Sequence, residues 1–480
     1  MKKKYIAILV TLLTIIILSA SFVGYSENKL VNTIKFYTPQ NLKTALKENI
    51  FFISSLRSKS DENKNEIKRL YTKVGYLEQQ YKVEKSNINF LLSQIYDNQK
   101  KIISPEVGHT QKITTENQNT YSLKKFYYPS LPWQYNKKKP SGYLYEYENF
   151  IFVVSGDGLI NYFETNDIEE KTLQLNIVKT NIRELLNDDN LTSSSKISIR
   201  GIFIKNKKIF LSYAKKVKDG CYNTSIMSAD FDFDNLTFSE FFTYEECSNN
   251  FSNHTGGRMM DFDKDSFLFT TGDGQVFSEV QNSNSMWGKL LKINFDGKLE
   301  KILAKGLRDT QGGEYYAKDK VVILSEHGPT GGDEINALKL EDFENEVNFG
   351  WPIATYGKIK YITIPENKFT IEDELNHNKN GFKEPLKHYT PSVAPSHIMN
   401  VDQLRTDFNN DFFMSTLGNL PAPGRRALHH LKFDKDYQKV IFNDVIYVDD
   451  RVRDMIYVKS KSKVVMILEN GPTIAILEAL

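Results

Sequence analysis

From about residue 140 to the C-terminus, short apolar runs alternate with clusters of Gly, Asp and Asn. "YENFIFVVSGDGLINYFE", "ISIRGIFIKNKKIFLSYAKK", "SFLFTTGDGQVF", "GKLLKINFDGKLEKIL", "YAKDKVVILSEHGP" and "VRDMIYVKSKSKVVMILE" share one layout. Each is rich in β-branched and aromatic residues and broken by a turn signal, which predicts antiparallel strands and no helices. The segment 140–480 is too long for a simple sandwich. Repeated antiparallel blades around an axis are the usual way to build so large an all-β domain. The strand, Asp-Gly or Asn-Lys turn, strand unit recurs without a strict repeat, and it predicts a β-propeller of six blades.

Upstream the period changes. Ile67, Val74, Tyr81 and Ile88 recur every seven residues, with Leu70, Leu77 and Leu91 in the companion row and Glu84 interrupting it. This is a short a/d seam. It predicts a self-associating helical stalk over 27–100 and so a homo-oligomer; a single amphipathic helix lying on the domain is the alternative. Residues 101–139, polar and without a period, are expected to be a linker. Residues 1–26, "MKKKYIAILVTLLTIIILSASFVGYS", place three lysines before a long apolar run. That length suits a transmembrane helix with the lysines inside the cell; a cleaved signal peptide is the competing reading. Either way the C-terminal domain is expected outside the cytoplasm, anchored or secreted.

Composition narrows the chemistry. The 480 residues carry a formal charge of +2, so no global basic field points to nucleic acid. Cys221 and Cys247 are the only cysteines. In an exported chain, a pair at this spacing is expected to form a disulfide.

Four loops have unusual content. "NHTGGRMMDF" offers His254 as a general base and two glycines for close approach of a cofactor or another backbone. "LRDTQGG" offers Arg308 to stabilise developing negative charge. "SEHGPTGGDEIN" exposes carbonyls beside Asp333 and Glu334, donors that suit a hard cation such as calcium. In "DDRVRDMIY", Arg451 and Arg453 are two apart, so on a strand they point the same way and suit a multi-carboxylate ligand. Taken singly, each also reads as an ordinary structural loop.

In this order the motifs "GGRMMDFDKDSFLFTTGDG", "GKLLKINFDGK", "SEHGPTGGDEIN…NFGWPIATYG", "PSVAPS" and "RVRDMIY" resemble the glucose/sorbosone dehydrogenase family. These are six-bladed aldose sugar dehydrogenases that depend on pyrroloquinoline quinone (PQQ). The resemblance implies that His254 takes a proton from the sugar hydroxyl as hydride passes to the quinone, and that Arg308 polarises the quinone carbonyl. It implies cofactor contacts at Arg451, Arg453, Gln311, Asp333 and Ser392, and calcium ligation by the Gly328 and Pro329 carbonyls with Glu334. The substrate class is a sugar or other alcohol. Two departures stand out: "SKISIRGIF" lacks the glutamine of the family's second-blade loop, and Asp309 follows Arg308 where asparagine is usual. With the added stalk, they support an alternative of another class, a non-catalytic propeller that binds a surface ligand or protein partner.

Overall fold

The computed structural model describes residues 102–103, 107–127, 142–186, 199–251, 254–357, 377–418, 423–470 and 473–480. The apolar segment 1–26 and the heptad seam lie outside them. No helix of the described residues is long and apolar enough to cross a membrane.

The described chain is a six-bladed β-propeller. Blade 1 comprises Gly142–Tyr147, Phe150–Ser155, Ile160–Glu164 and Leu175–Thr180. Blade 2 comprises Ile199–Lys205, Lys208–Lys218, Cys221–Asp230 and Ser239–Phe242. Blade 3 begins with Gly256–Asp261, blade 4 with Thr310–Tyr316, blade 5 with Pro395–Asn400 and blade 6 with Val452–Val458. Each first strand is innermost and packs against the first strands of both neighbouring blades, so six of them surround the axis. Tight turns set this register. Between the first two strands of blade 2, Asn206 and Lys207 both have positive φ, 53° and 55°, as a two-residue type I′ hairpin requires.

Blades are buried on both faces, and this explains the near-continuous apolar runs. In "IRGIFIK", Ile202 and Ile204 pack toward blade 1 while Phe203 packs toward blade 3. Six apolar clusters fill the six gaps between neighbouring blades, the last joining blade 6 back to blade 1 through Val465, Ile467, Leu144 and Val153. The core is therefore a ring around a polar axis.

The segment 101–139 is not simply a linker. Val107–Thr114 and Thr120–Tyr127 form a hairpin, and the latter pairs with Thr473–Ala479 as the outer part of blade 6. N-terminal strands thus close the ring on C-terminal ones. The sequence is polar because Val107–Thr114 is an outer edge strand whose side chains, all but one, are exposed or half-buried. Its partner buries Tyr121 and Leu123 on one face and Phe126 on the other. At the hairpin tip, Thr115 Oγ1 and Asn119 Nδ2 donate to Asp444 Oδ2 of blade 5 at 2.6 and 2.8 Å.

Candidate active site

Thr255 and Gly256 line the axial cavity, whereas His254, just before them, and Arg308 and Arg451 do not. His254 has φ 51°, and the glycines after it allow two close approaches. A Cβ on Gly256 would meet the backbone of Thr270–Gly272 at under 3 Å, and one on Gly257 would lie 2.6 Å from the Arg200 Cβ of blade 2. The glycines therefore admit a neighbouring backbone and a neighbouring side chain.

His254 is held from both sides. Its Nδ1 lies 2.9 Å from Asp273 Oδ1, and its Nε2 lies 2.8 Å from Arg308 Nη2. A guanidinium can only donate, so Nε2 is an acceptor and the ring proton is on Nδ1. Asp273 enforces the same tautomer. It is fully buried and accepts two further bonds, from Gln275 N at 2.8 Å and Trp351 Nε1 at 2.8 Å. Asp273 and Trp351 lie in "TTGDG" and "NFGWP", where the sequence reads as a turn and as a continuation of the calcium-like loop.

Arg308 is fixed at its other end. Its Nη1 donates to the His327 carbonyl at 3.0 Å, its guanidinium stacks 5.3 Å from the Trp351 ring centroid, and its backbone N–H donates to Glu326 Oε1 at 2.6 Å. Burial pushes the Glu326 carboxyl up to about 8, so it is largely neutral near pH 7.

Asp309 does not carry an unanswered charge. Its Oδ1 accepts from Gly256 N at 3.2 Å and its Oδ2 from Gln311 Nε2 at 2.9 Å. Burial pushes its carboxyl up, but His327, His254 and these two hydrogen bonds outweigh that and hold it below the usual carboxylate value. Gln311 turns its amide oxygen to Arg453 Nη1 at 2.7 Å. Arg453 and Arg451 then share one buried carboxylate, with Arg453 Nε at 2.5 Å from Glu469 Oε1 and Arg451 Nε at 2.8 Å from Oε2. Burial opposes the charge on Glu469, and the two guanidiniums overcome it, keeping its carboxyl low. A continuous hydrogen-bonded chain thus links Asp309, Gln311, Arg453, Glu469 and Arg451. Glu469, in "ILENGP", was missed because nothing near it in sequence signals a role.

A small axial cavity, partly open to solvent, receives one residue from each innermost strand: Tyr143, Arg200, Gly256, Gln311, Ser396 and Arg453. Arg200 and Tyr143 were not foreseen.

The proposed calcium loop is divided. Asp333 accepts from Gly328 N at 2.9 Å, and its other oxygen accepts from Ser392 Oγ, Val393 N and Ala394 N at 2.6–2.7 Å. Asp333 and Ser392 thus clamp two loops together. Glu334, next on the strand, faces the other way. It accepts from Asn336 Nδ2 at 3.2 Å, approaches His377 Nε2 at 3.8 Å, and is pushed well above the usual value by burial and by Glu326. Among the described residues, none donates to the Gly328 or Pro329 carbonyl, and no three His, Cys, Asp or Glu side chains group as a metal site. The two carbonyls suit a hard cation.

Cys221 and Cys247 are bonded, tying the start of a blade 2 strand to the segment beyond its last strand.

The Glucose / Sorbosone dehydrogenase family model matches residues 195–476. Aldose sugar dehydrogenase YliI of Escherichia coli is 30% identical over 40% of this chain and 53% of its own. The chain spans between about half and two thirds of the curated relatives it matches. The apo soluble aldose sugar dehydrogenase from Escherichia coli has a TM-score of 0.56 at 19% identity, with 72% of this chain and 97% of that chain covered. The PQQ-bound aldose sugar dehydrogenase from Streptomyces coelicolor gives 0.52 at 16%, covering 79% and 99%. Carrying the family's motifs on its six-bladed ring, the chain belongs to the glucose/sorbosone dehydrogenase family.

Proposed function

We propose that the protein is an exported, membrane-anchored dehydrogenase that uses PQQ and calcium to oxidise a sugar or other alcohol. The observation that carries this reading is the His254 Nε2 lone pair, held between Asp273 and Arg308 just before Thr255 and Gly256, which line the axial cavity. The donors suit a polyanionic quinone: the Arg453 guanidinium lines the axial cavity, and near His254 the indole of Trp351 backs Arg308. When bound, PQQ supplies the two-electron acceptor for hydride, with calcium at the Gly328 and Pro329 carbonyls as its Lewis-acid partner. The PQQ-bound relative of the same fold supports the choice of cofactor.

The chain's own residues do the rest. His254 Nε2 takes the proton of the reacting hydroxyl, and the Asp273 carboxylate, on Nδ1, stabilises the imidazolium that forms. Arg308 must first release Nε2. Its Nη1 bond to the His327 carbonyl and its stacking on Trp351 keep the group in place while Nη2 turns to developing negative charge. Asp309, which counted against catalysis, is answered by Gln311 and the Gly256 N–H. The full-length protein, given PQQ and calcium, should reduce an artificial dye in the presence of aldoses. Failure both to bind PQQ and to reduce dye would leave the non-catalytic propeller as the reading.

A further inference from the structure

We propose that the Cys221–Cys247 disulfide positions the catalytic base, so that full turnover requires the bond to have formed. The effect on turnover rests on the dehydrogenase reading; the mechanical coupling does not. Cys221 starts the third strand of blade 2, Cys221–Asp230, and Cys247 lies on the segment that leads from that blade to His254. The first four residues of the strand hold this segment at successive points. Cys221 holds Cys247 covalently. Tyr222 and Ser248 exchange backbone bonds at 3.0 and 2.8 Å. Asn223 Nδ2 donates to the Tyr244 and Glu246 carbonyls at 2.7 and 2.9 Å. Thr224 Oγ1 donates to the Thr255 carbonyl at 2.7 Å. His254 therefore stands between a stretch held by residues 221–223 and a neighbour held by Thr224. A shift of this strand end reaches the imidazole from both sides.

The strand end has little else to fix it. It follows a turn whose residues Lys218, Asp219 and Gly220 are exposed, and a Cβ on Gly220 would meet nothing within 4 Å. Register with the preceding strand slips between Cys221 and Tyr222. Blade 3 grips the segment from the other side: Glu246 Oε2 accepts from Ser285 Oγ at 2.6 Å, and Phe251 is fully buried beside Trp287. Breaking the disulfide thus frees one side of a two-sided clamp and leaves the propeller folded. Cys221 is buried and Cys247 half-buried, so a dithiol attacks the Cys247 sulfur. Its thiolate bonds to that sulfur and Cys221 leaves. The second thiol then closes on the first, Cys247 leaves, and the reagent departs as a disulfide. Two electrons pass to the protein, and the two cysteines take up the two thiol protons. The placement of the base would therefore depend on an oxidising compartment.

The test uses full-length wild type, oxidised, reduced with dithiothreitol and reoxidised, beside Thr224→Val with the bond intact. The reductant is removed before assay. Amide exchange compares residues 244–256 with the blade 5 strand Asp411–Thr416. Dye reduction gives kcat and KM, and tryptophan fluorescence gives PQQ affinity. Reduction is expected to speed exchange in 244–256 and not in Asp411–Thr416. It should lower kcat roughly 10- to 100-fold, as misplacing a reacting group by about 1 Å does, with PQQ affinity unchanged. Reoxidation restores both. Thr224→Val should speed exchange at Thr255 and Gly256 without reduction. If the oxidised wild type reduces no dye, the dehydrogenase reading falls alone, and the exchange result still decides the coupling. Exchange in 244–256 that ignores reduction, or that rises equally in every blade, overturns the proposal. So does an active enzyme whose kcat is the same reduced and oxidised.

Discussion

Asp273→Asn removes a charge while keeping shape. The carboxylate accepts from three donors: His254 Nδ1, Gln275 N and Trp351 Nε1. With the amide oxygen at the Oδ1 position, the His254 tautomer survives and only Trp351 Nε1 meets another donor. The opposite orientation sets the amide against Gln275 N–H and inverts the imidazole, so that Nε2–H faces Arg308. The first orientation costs less, and it lacks the negative charge that steadies the imidazolium in the transition state. At an effective dielectric near 20, unit charges centred about 4 Å apart, as on a hydrogen-bonded carboxylate and imidazolium, interact by about 4 kcal/mol. The expected fall in kcat is therefore about 10³-fold. The lost Trp351 bond should lower stability by about 1–3 kcal/mol. Trp351→Phe is the control, since it deletes the same bond but leaves the charge; its kcat should stay within about tenfold of wild type. Dye reduction with saturating PQQ and aldose, beside urea unfolding, reads both effects. An Asp273→Asn enzyme with more than about a tenth of wild-type kcat, or a Trp351→Phe enzyme that falls as far, would refute the electrostatic role.

Three further outcomes are expected. Burial pushes the Glu314 carboxyl up to about 8, although Asn400 N donates to it. A carboxyl raised on folding contributes stability fully present below its unfolded value and lost as pH rises through the folded one. Wild type should lose a few kcal/mol between about pH 4.5 and pH 8.5, and Glu314→Gln should flatten that slope in urea titrations. Replacing Cys221 and Cys247 by serine opens a loop with a sequence separation of 26 and should cost about 3–4 kcal/mol on the loop-entropy estimate, measured by thermal unfolding. Asp444→Ala strands Thr115 Oγ1 and Asn119 Nδ2 at the closing hairpin; it should lower stability by about 1–3 kcal/mol and speed amide exchange in 107–127 more than in blade 3.

What the sequence made legible follows its periodicities. Strands buried on both faces, such as Lys208–Lys218, announce themselves as apolar runs, and the Asn206-Lys207 turn marks their register. The closing hairpin does not, because an exposed edge strand resembles a polar loop and its partner is over 300 residues away. The site divides likewise. His254, Arg308, Arg451 and Arg453 stand out as charged residues in motif-bearing loops. Asp273 passed as half of an Asp-Gly turn, since the His254 bond that gives it a role spans 19 residues. Arg200 carries no motif of its own in "SKISIRGIF". The available signal was a lone cation within an apolar strand. Asp333 and Glu334 show the reverse limit: adjacency in sequence suggests one shared site, but a strand points neighbouring side chains to opposite faces.

The central claim is that His254 Nε2, held between Asp273 and Arg308, is the proton acceptor. It is tested most directly by dye reduction in full-length His254→Ala, with PQQ binding checked in the same sample. The expected result is retained PQQ affinity with a rate lowered by roughly 10²- to 10⁴-fold. Wild-type turnover by the alanine variant would contradict it.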